Sequence, residues 1–267
     1  MSYSNRKNSI IASRIFFSGI LSNLKNHHQS KWIVHSIYFL VIIFSASIML
    51  WFSWAKWADV IVYFGRELYV PWILNEGKEL YKDLFYFNGP LSPYWNAIWF
   101  KLLGPGVFTL VYVNLGLLAT LIMIMFHVLS AASSEKAAFI ACLVFVLLFA
   151  FNQYTLIGNY NYLCPYSHEA THGMLLSWIT IALLYRFIRS YSIVWIAFSG
   201  ISLGMVFLTK PEFFLAAAAA SVTTIIVWLW TTKPARYTFI MHISAFSLSL
   251  LFAPAVAYAL LCRTLNW

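Results

Sequence analysis

Trp57-Ala58-Asp59-Val60-Ile61-Val62-Tyr63-Phe64-Gly65-Arg66-Glu67-Leu68, continued by Leu80-Tyr81-Lys82-Asp83 and Asn88-Gly89-Pro90-Leu91-Ser92-Pro93-Tyr94, is the polar interruption between two long apolar runs. Hydrophobic residues make up 62% of the chain and charged residues 9%, against roughly 25% charged in an ordinary soluble domain. A chain this apolar keeps its charges where they act. Asp59, Arg66, Glu67 and Asp83 fall in this one stretch, and Lys210 and Glu212 follow much later.

Working outward, several runs reach the length of about 20 apolar residues that crosses a hydrocarbon core. The expected fold is an all-α membrane protein with about seven transmembrane helices, over residues 32–54, 106–130, 137–151, 172–187, 192–209, 213–230 and 237–261. Residues 91–103 are apolar but too short to span, so they lie at the interface or re-enter. Residues 1–31 form a basic N-terminal tail, and 32–267 form one polytopic module with a structured, partly helical first outer loop at 55–105.

Lysine and arginine set the orientation. Arg6, Lys7, Arg14, Lys25 and Lys31 precede the first span, and Lys136, Arg186, Arg189, Lys233 and Arg236 fall on the same side by alternation. Glu135 is the one acid among them. The N-terminus is therefore expected in the cytoplasm, with the net charge of +9 gathered on that face. This is a topology signal and no nucleic-acid footprint. The first run is long enough to stay as an anchor and lacks a small-residue cleavage site, unlike a signal peptide. Cys142, Cys164 and Cys262 do not read as a disulfide framework.

Within the loop, residues 59–76 can form a helix that Gly77 stops. Asp59, Tyr63 and Arg66 would then share one face, with Asp59 and Arg66 roughly 10 Å apart along the axis. That gap can hold a substrate group between a base and a cation. Asp59 has two readings, a cap for the loop helix or a proton acceptor for an attacking hydroxyl. Gly89-Pro90 signals a turn, Pro93 suits the first turn of a following helix, and Gly104-Pro105 ends it. A loop of this length without disorder signals is usually functional.

The run from Asp59 to Gly104 resembles the first extracytoplasmic loop of GT-C membrane glycosyltransferases, such as protein O-mannosyltransferases and aminoarabinose transferases. The matching pieces are Asp59, Arg66-Glu67-Leu68, Gly77 with Leu80-Tyr81-Lys82-Asp83, Gly89-Pro90-Leu91 with Tyr94, and Leu103-Gly104. Asn159-Tyr160-Asn161 through Pro165-Tyr166-Ser167, and Leu208-Thr209-Lys210-Pro211-Glu212, are similar to recurring elements of bacterial members. The resemblance implies inverting transfer of a sugar from a polyprenyl-phosphate carrier to a lipid, glycan or protein acceptor, with Asp59 as base. It places substrate-binding roles on Arg66, Glu67, Tyr81, Asp83, His168, Glu169, His172, Lys210 and Glu212, and a bacterial inner membrane as the setting. No cofactor is expected, and metal dependence stays open. The resemblance runs from about residue 55 to the end. Family members usually continue further, so the chain reads as a fragment or a minimal form.

Two rival readings remain. His168-Glu169-Ala170-Thr171-His172 fits the H-E-x-x-H zinc-protease pattern, though a third ligand is usual for catalytic zinc. A transporter or lipid flippase would instead keep ionisable groups near the bilayer midplane, and no acidic or basic residue lies deep in an expected span. Lys210 can meet a phosphate as a point charge or snorkel to the interface.

Overall fold

The computed structural model describes residues 33–57, 64–151 and 161–265. Among them the regular structure is helical, apart from isolated bridges between Leu80 and Leu84 and between Phe151 and Asn161. The helices are α1 (Ile33–Ser53), α2 (Gly65–Asn75), α3 (Leu91–Leu103), α4 (Val107–Ala132), α5 (Glu135–Phe145, continued by a π-helical turn Val146–Ala150), α6 (His168–Ser190), α7 (Ile193–Phe207), α8 (Pro211–Thr232) and α9 (Arg236–Leu265). Five of these, α1, α4, α6, α8 and α9, are long and apolar enough to cross a membrane. The runs expected as spans over 137–151 and 192–209 are also helical but shorter. Each starts at a serine cap: Ser134 accepts from the Ala137 amide and Ser192 from the Val194 amide, which satisfies otherwise orphaned amides. The seventh helix stops at Phe207 because Pro211 opens α8 and disfavours helix just before itself.

Of the helix anticipated over 59–76, the described part is α2, which begins at Gly65 with Phe64 just outside it. Asp59 and Tyr63 lie outside the described residues, and so does the face they would share with Arg66. The stops fall as expected: Gly77 and Gly104 both have φ near +87 and +86°, where glycine carries no Cβ penalty. Leu91–Leu103 is a helix of 13 residues. Between α2 and α3, Val70, Leu80 and Tyr86 form a small core, and Asp83 Oδ2 accepts from the Glu79 amide at 2.9 Å.

Two apolar cores share α6. Leu175 belongs with Leu110, Leu118, Leu121, Phe126 and Phe145 in one, and Phe187 belongs with Ile196, Leu203, Trp228 and Phe246 in the other. α7 and α9 approach most closely at two glycines. A Cβ on Gly200 would stand 2.1 Å from Ser249 Oγ and 2.5 Å from the Phe246 carbonyl, and one on Gly204 would stand 2.3 Å from the Leu250 carbonyl. Small residues four apart let backbones pack where the bilayer supplies no hydrophobic drive. The register, with Gly200 beside Phe246 and Gly204 beside Pro254, makes α7 and α9 parallel. Far from loop one, His242 on α9 holds the α6–α7 turn, its two ring nitrogens 2.8 Å from the Thr238 carbonyl and 3.0 Å from the Tyr191 carbonyl.

Loop one is tied to the far side of the bundle through its Gly-Pro turn. The Gly89 amide donates to the Thr209 carbonyl at 2.9 Å and the Leu91 amide to the Leu208 carbonyl at 3.1 Å. A Cβ on Gly89 would sit 2.1 Å from Leu208 O. Only glycine allows this approach, which brings the first connection against the α7–α8 hinge.

Candidate functional site

Arg66 opens α2 and reaches α6. Its Nη2 and Nε donate to Glu67 Oε1 at 2.6 and 3.1 Å, and Nη2 lies 3.5 Å from Glu169 Oε2 and 3.4 Å from the Tyr166 carbonyl. Glu67 and Glu169 are buried, at 4% and 0% exposure, while the Arg66 side chain is 39% exposed. One half-open guanidinium therefore holds two buried carboxylates. Burial works against its charge, but Glu67 and then Glu169 outweigh this and raise the Arg66 pKa above its ordinary value.

Glu169 is further satisfied by neutral donors, and Glu67 by a ring nitrogen. Ser167 Oγ donates to Glu169 Oε2 at 2.5 Å, and the Tyr86 hydroxyl donates to Glu169 Oε1. Burial, with Glu67 and Glu169 nearby, pushes the Tyr86 pKa up, so the phenol keeps its proton for this bond. His168 Nδ1 is 2.9 Å from Glu67 Oε2, and its Nε2 is 2.9 Å from Asn114 Nδ2. His172, one turn further along α6, has Nδ1 2.8 Å from Ser92 Oγ on α3. A buried charge left unpaired is costly, which explains why so many donors converge here.

The remaining expected residues spread around this centre. Lys210, just before α8, lies over the Tyr166 ring with Nζ 5.6 Å from its centroid. Tyr166 thus stands between two cations, its carbonyl on Arg66 and its ring under Lys210. Tyr81 is partly exposed and its hydroxyl donates to the Asn88 carbonyl at 2.6 Å. Burial, then Tyr94 and Glu169, push its pKa up to about 12. Asp83 is exposed and pinned to its own turn by the Glu79 amide, and Glu212 is exposed on the first turn of α8. Neither is brought to the Arg66 centre. Asp59, the expected base, lies outside the described residues.

The zinc-ligand reading meets a difficulty of geometry. His168 and His172 do share a face, their ring centroids 5.9 Å apart. Yet both ring nitrogens of His168 are engaged, and Glu169 is turned to Arg66, Tyr86 and Ser167. No group of three His, Cys, Asp or Glu side chains among the described residues is placed to hold a metal ion. Cys164 is also inert, its thiol pushed up to about 12 by burial.

Four contributors escaped the sequence reading: Tyr86, Ser92, Asn114 and Ser167. Two carried signals. Asn114 is a lone carboxamide within a 26-residue apolar helix, and polar groups there usually pair across helices. Tyr86 alternates with Phe85 and Phe87, which are 85% and 80% exposed, as in an extended segment with one face inward.

An apolar groove of about 700 Å3 lies between α3, α7 and α9, its lining including Leu91, Ile98, Met205, Val256, Leu260 and Arg263. Leu208, whose carbonyl receives the Leu91 amide, also lines this groove, so the groove meets the Gly-Pro turn of loop one. Comparison with known proteins finds no matching family model, no matching curated protein and no matching solved structure.

Proposed function

We propose that this chain is a membrane glycosyltransferase that takes its sugar from a polyprenyl-phosphate carrier. One observation carries the reading. Connections from three separate parts of the chain converge, so that Arg66 and Lys210 flank Tyr166, and an apolar groove lined by Leu208 and Arg263 opens at the same α7–α8 hinge that carries Lys210. A cationic rim suits a phosphate, and an apolar groove suits the isoprenoid tail. The loop-one resemblance to GT-C enzymes adds the chemistry.

In this reading seven helices cross the membrane, the N-terminus lies inside, and the site faces outward. The acceptor hydroxyl gives its proton to Asp59 and its oxygen attacks the anomeric carbon. The carbon–oxygen bond to phosphate breaks, polyprenyl phosphate leaves, and the configuration inverts. Arg66 and Lys210 steady the charge of the departing phosphate, a kind of preorganised stabilisation that often dominates catalysis. The transporter alternative is less favoured, because Glu67 and Glu169 gather on Arg66 at one end of the bundle.

The test is sugar transfer from polyprenyl-phosphate sugars by the chain in nanodiscs. Asp59→Asn should abolish turnover while leaving carrier binding intact, and Lys210→Gln should weaken carrier binding. Full turnover by well-expressed Asp59→Asn protein would remove the proposed base.

A further inference from the structure

We infer that Asn114, buried in α4 and out of direct contact with Arg66, is the positioning residue that orients Arg66 toward an anion. The inference rests on the reading of Arg66 as the phosphate contact and adds the device that holds it. The chain of bonds is continuous. Asn114 Nδ2 donates to the Leu163 carbonyl at 2.9 Å and also faces His168 Nε2 at 2.9 Å. His168 Nδ1 faces Glu67 Oε2 at 2.9 Å, and Glu67 Oε1 takes Arg66 Nη2 and Nε at 2.6 and 3.1 Å.

The direction of every proton follows from one group that cannot donate. A backbone carbonyl only accepts, so Leu163 turns the Asn114 carboxamide with its nitrogen inward. That nitrogen has a second proton, which can only go to a bare His168 Nε2. With Nε2 accepting, the ring proton sits on Nδ1 and points at Glu67. Glu67 Oε2 is thereby occupied and Oε1 is left for the guanidinium. Asn114 Oδ1 finds no partner among the described residues, as expected when the nitrogen is the end the surroundings select. Asn114, His168 and Glu67 are all nearly fully buried, so water does not compete for these bonds.

Asn114→Leu removes the donor that faces Nε2, so the ring is held from the Glu67 side alone. Asn114→Asp sets a second carboxylate against the ring, which draws a proton to Nε2 as well and pulls the ring between two acids. Either way Glu67 is held less firmly, and Arg66 loses a fixed anchor without being touched.

The experiment measures farnesyl phosphate binding to the full chain in nanodiscs for wild type, Arg66→Gln, Asn114→Leu and the double variant. Each single variant should weaken binding about tenfold, the scale of one charge-assisted hydrogen bond. The double variant should bind no worse than Arg66→Gln alone, because coupled groups are not additive. Simple additivity, or normal binding by Asn114→Leu, would overturn the relay, since a merely structural role would add. A second readout does not depend on any ligand. Ring 15N spectra, assigned by loss of signal in His168→Gln, should show a protonated Nδ1 and bare Nε2 in wild type, with Nε2 protonated as well in Asn114→Asp. A bare Nδ1 in wild type overturns the relay even if Asn114→Leu fails to fold. Unchanged affinity in Arg66→Gln would instead fault the phosphate-site reading, and the ring spectra would then decide the relay by themselves.

Discussion

Arg66 and Glu169, 103 residues apart in the chain, meet with Nη2 3.5 Å from Oε2. This contact joins the first connection to the start of α6 and makes a single cation the counterpart of two buried acids. Most of what the site can do depends on that imbalance.

Removing the cation should therefore destabilise the fold as well as the site. Arg66→Gln leaves Glu67 and Glu169 buried beside neutral donors. Breaking a buried pair costs about 3–5 kcal/mol, and the partial exposure of Arg66 reduces this to about 1–3 kcal/mol through solvent screening. Thermal unfolding in detergent checks the loss. Adding Glu169→Gln to Arg66→Gln should recover part of it, and a further large loss would contradict the pairing.

Tyr86→Phe should cost about 1–3 kcal/mol, because Glu169 loses a buried donor. Tyr69→Phe is the control, since Tyr69 is half exposed. Equal melting temperatures for the two variants would show that the Tyr86 hydroxyl contributes nothing.

The phenol of Tyr81 gives a pH signature. Its folded pKa is raised from 10.0 to about 12. A raised group contributes stability that is complete below the unfolded value and lost as pH climbs through the folded one. Unfolding temperature should therefore fall between about pH 10 and about pH 12. Tyr81→Phe should flatten part of that decline, measured by scanning at fixed ionic strength.

Three glycines should respond differently to alanine. Gly89→Ala forces a methyl into the Leu208 carbonyl and should cost about 1–3 kcal/mol as an overpacking defect, with release of loop one from the α7–α8 hinge. Gly77→Ala meets open space but sits at φ +87°, a strain of roughly 1–2 kcal/mol. Gly116→Ala meets nothing within 4 Å and lies inside α4, so it should stabilise by about 0.5–1 kcal/mol. Proteolysis of loop one separates the first case from the second: only Gly89→Ala should expose new cleavage sites.

Filling the apolar groove should separate tail binding from headgroup binding. Ile98→Trp or Met205→Trp narrows the space between α3, α7 and α9 without touching Arg66. Affinity for long polyprenyl phosphates should drop by about tenfold or more, while inorganic phosphate affinity stays constant. A parallel fall in both would place the tail elsewhere.

Much of the scaffold was legible in residue order. Apolar runs marked the long helices, because transfer of each side chain into hydrocarbon is a local sum along the chain. Gly77, Gly104 and Gly89-Pro90 marked stops and a turn, because they act on their own backbone. The extent of α7 was less legible, since Pro211 opens the next helix and cuts short a run whose hydropathy alone favoured a longer span.

What the chain determined by itself was the all-helical membrane class, the polar loop after α1 and the residue types available there. What only the tertiary structure decided was their pairing: Arg66 with Glu169, Tyr86 inward, Asn114 behind His168, and Asp83 and Glu212 left aside. Hydropathy and backbone preference are properties of neighbours in sequence. Satisfaction of a buried charge is a property of neighbours in space, and these partners come from helices that meet only after the bundle has packed.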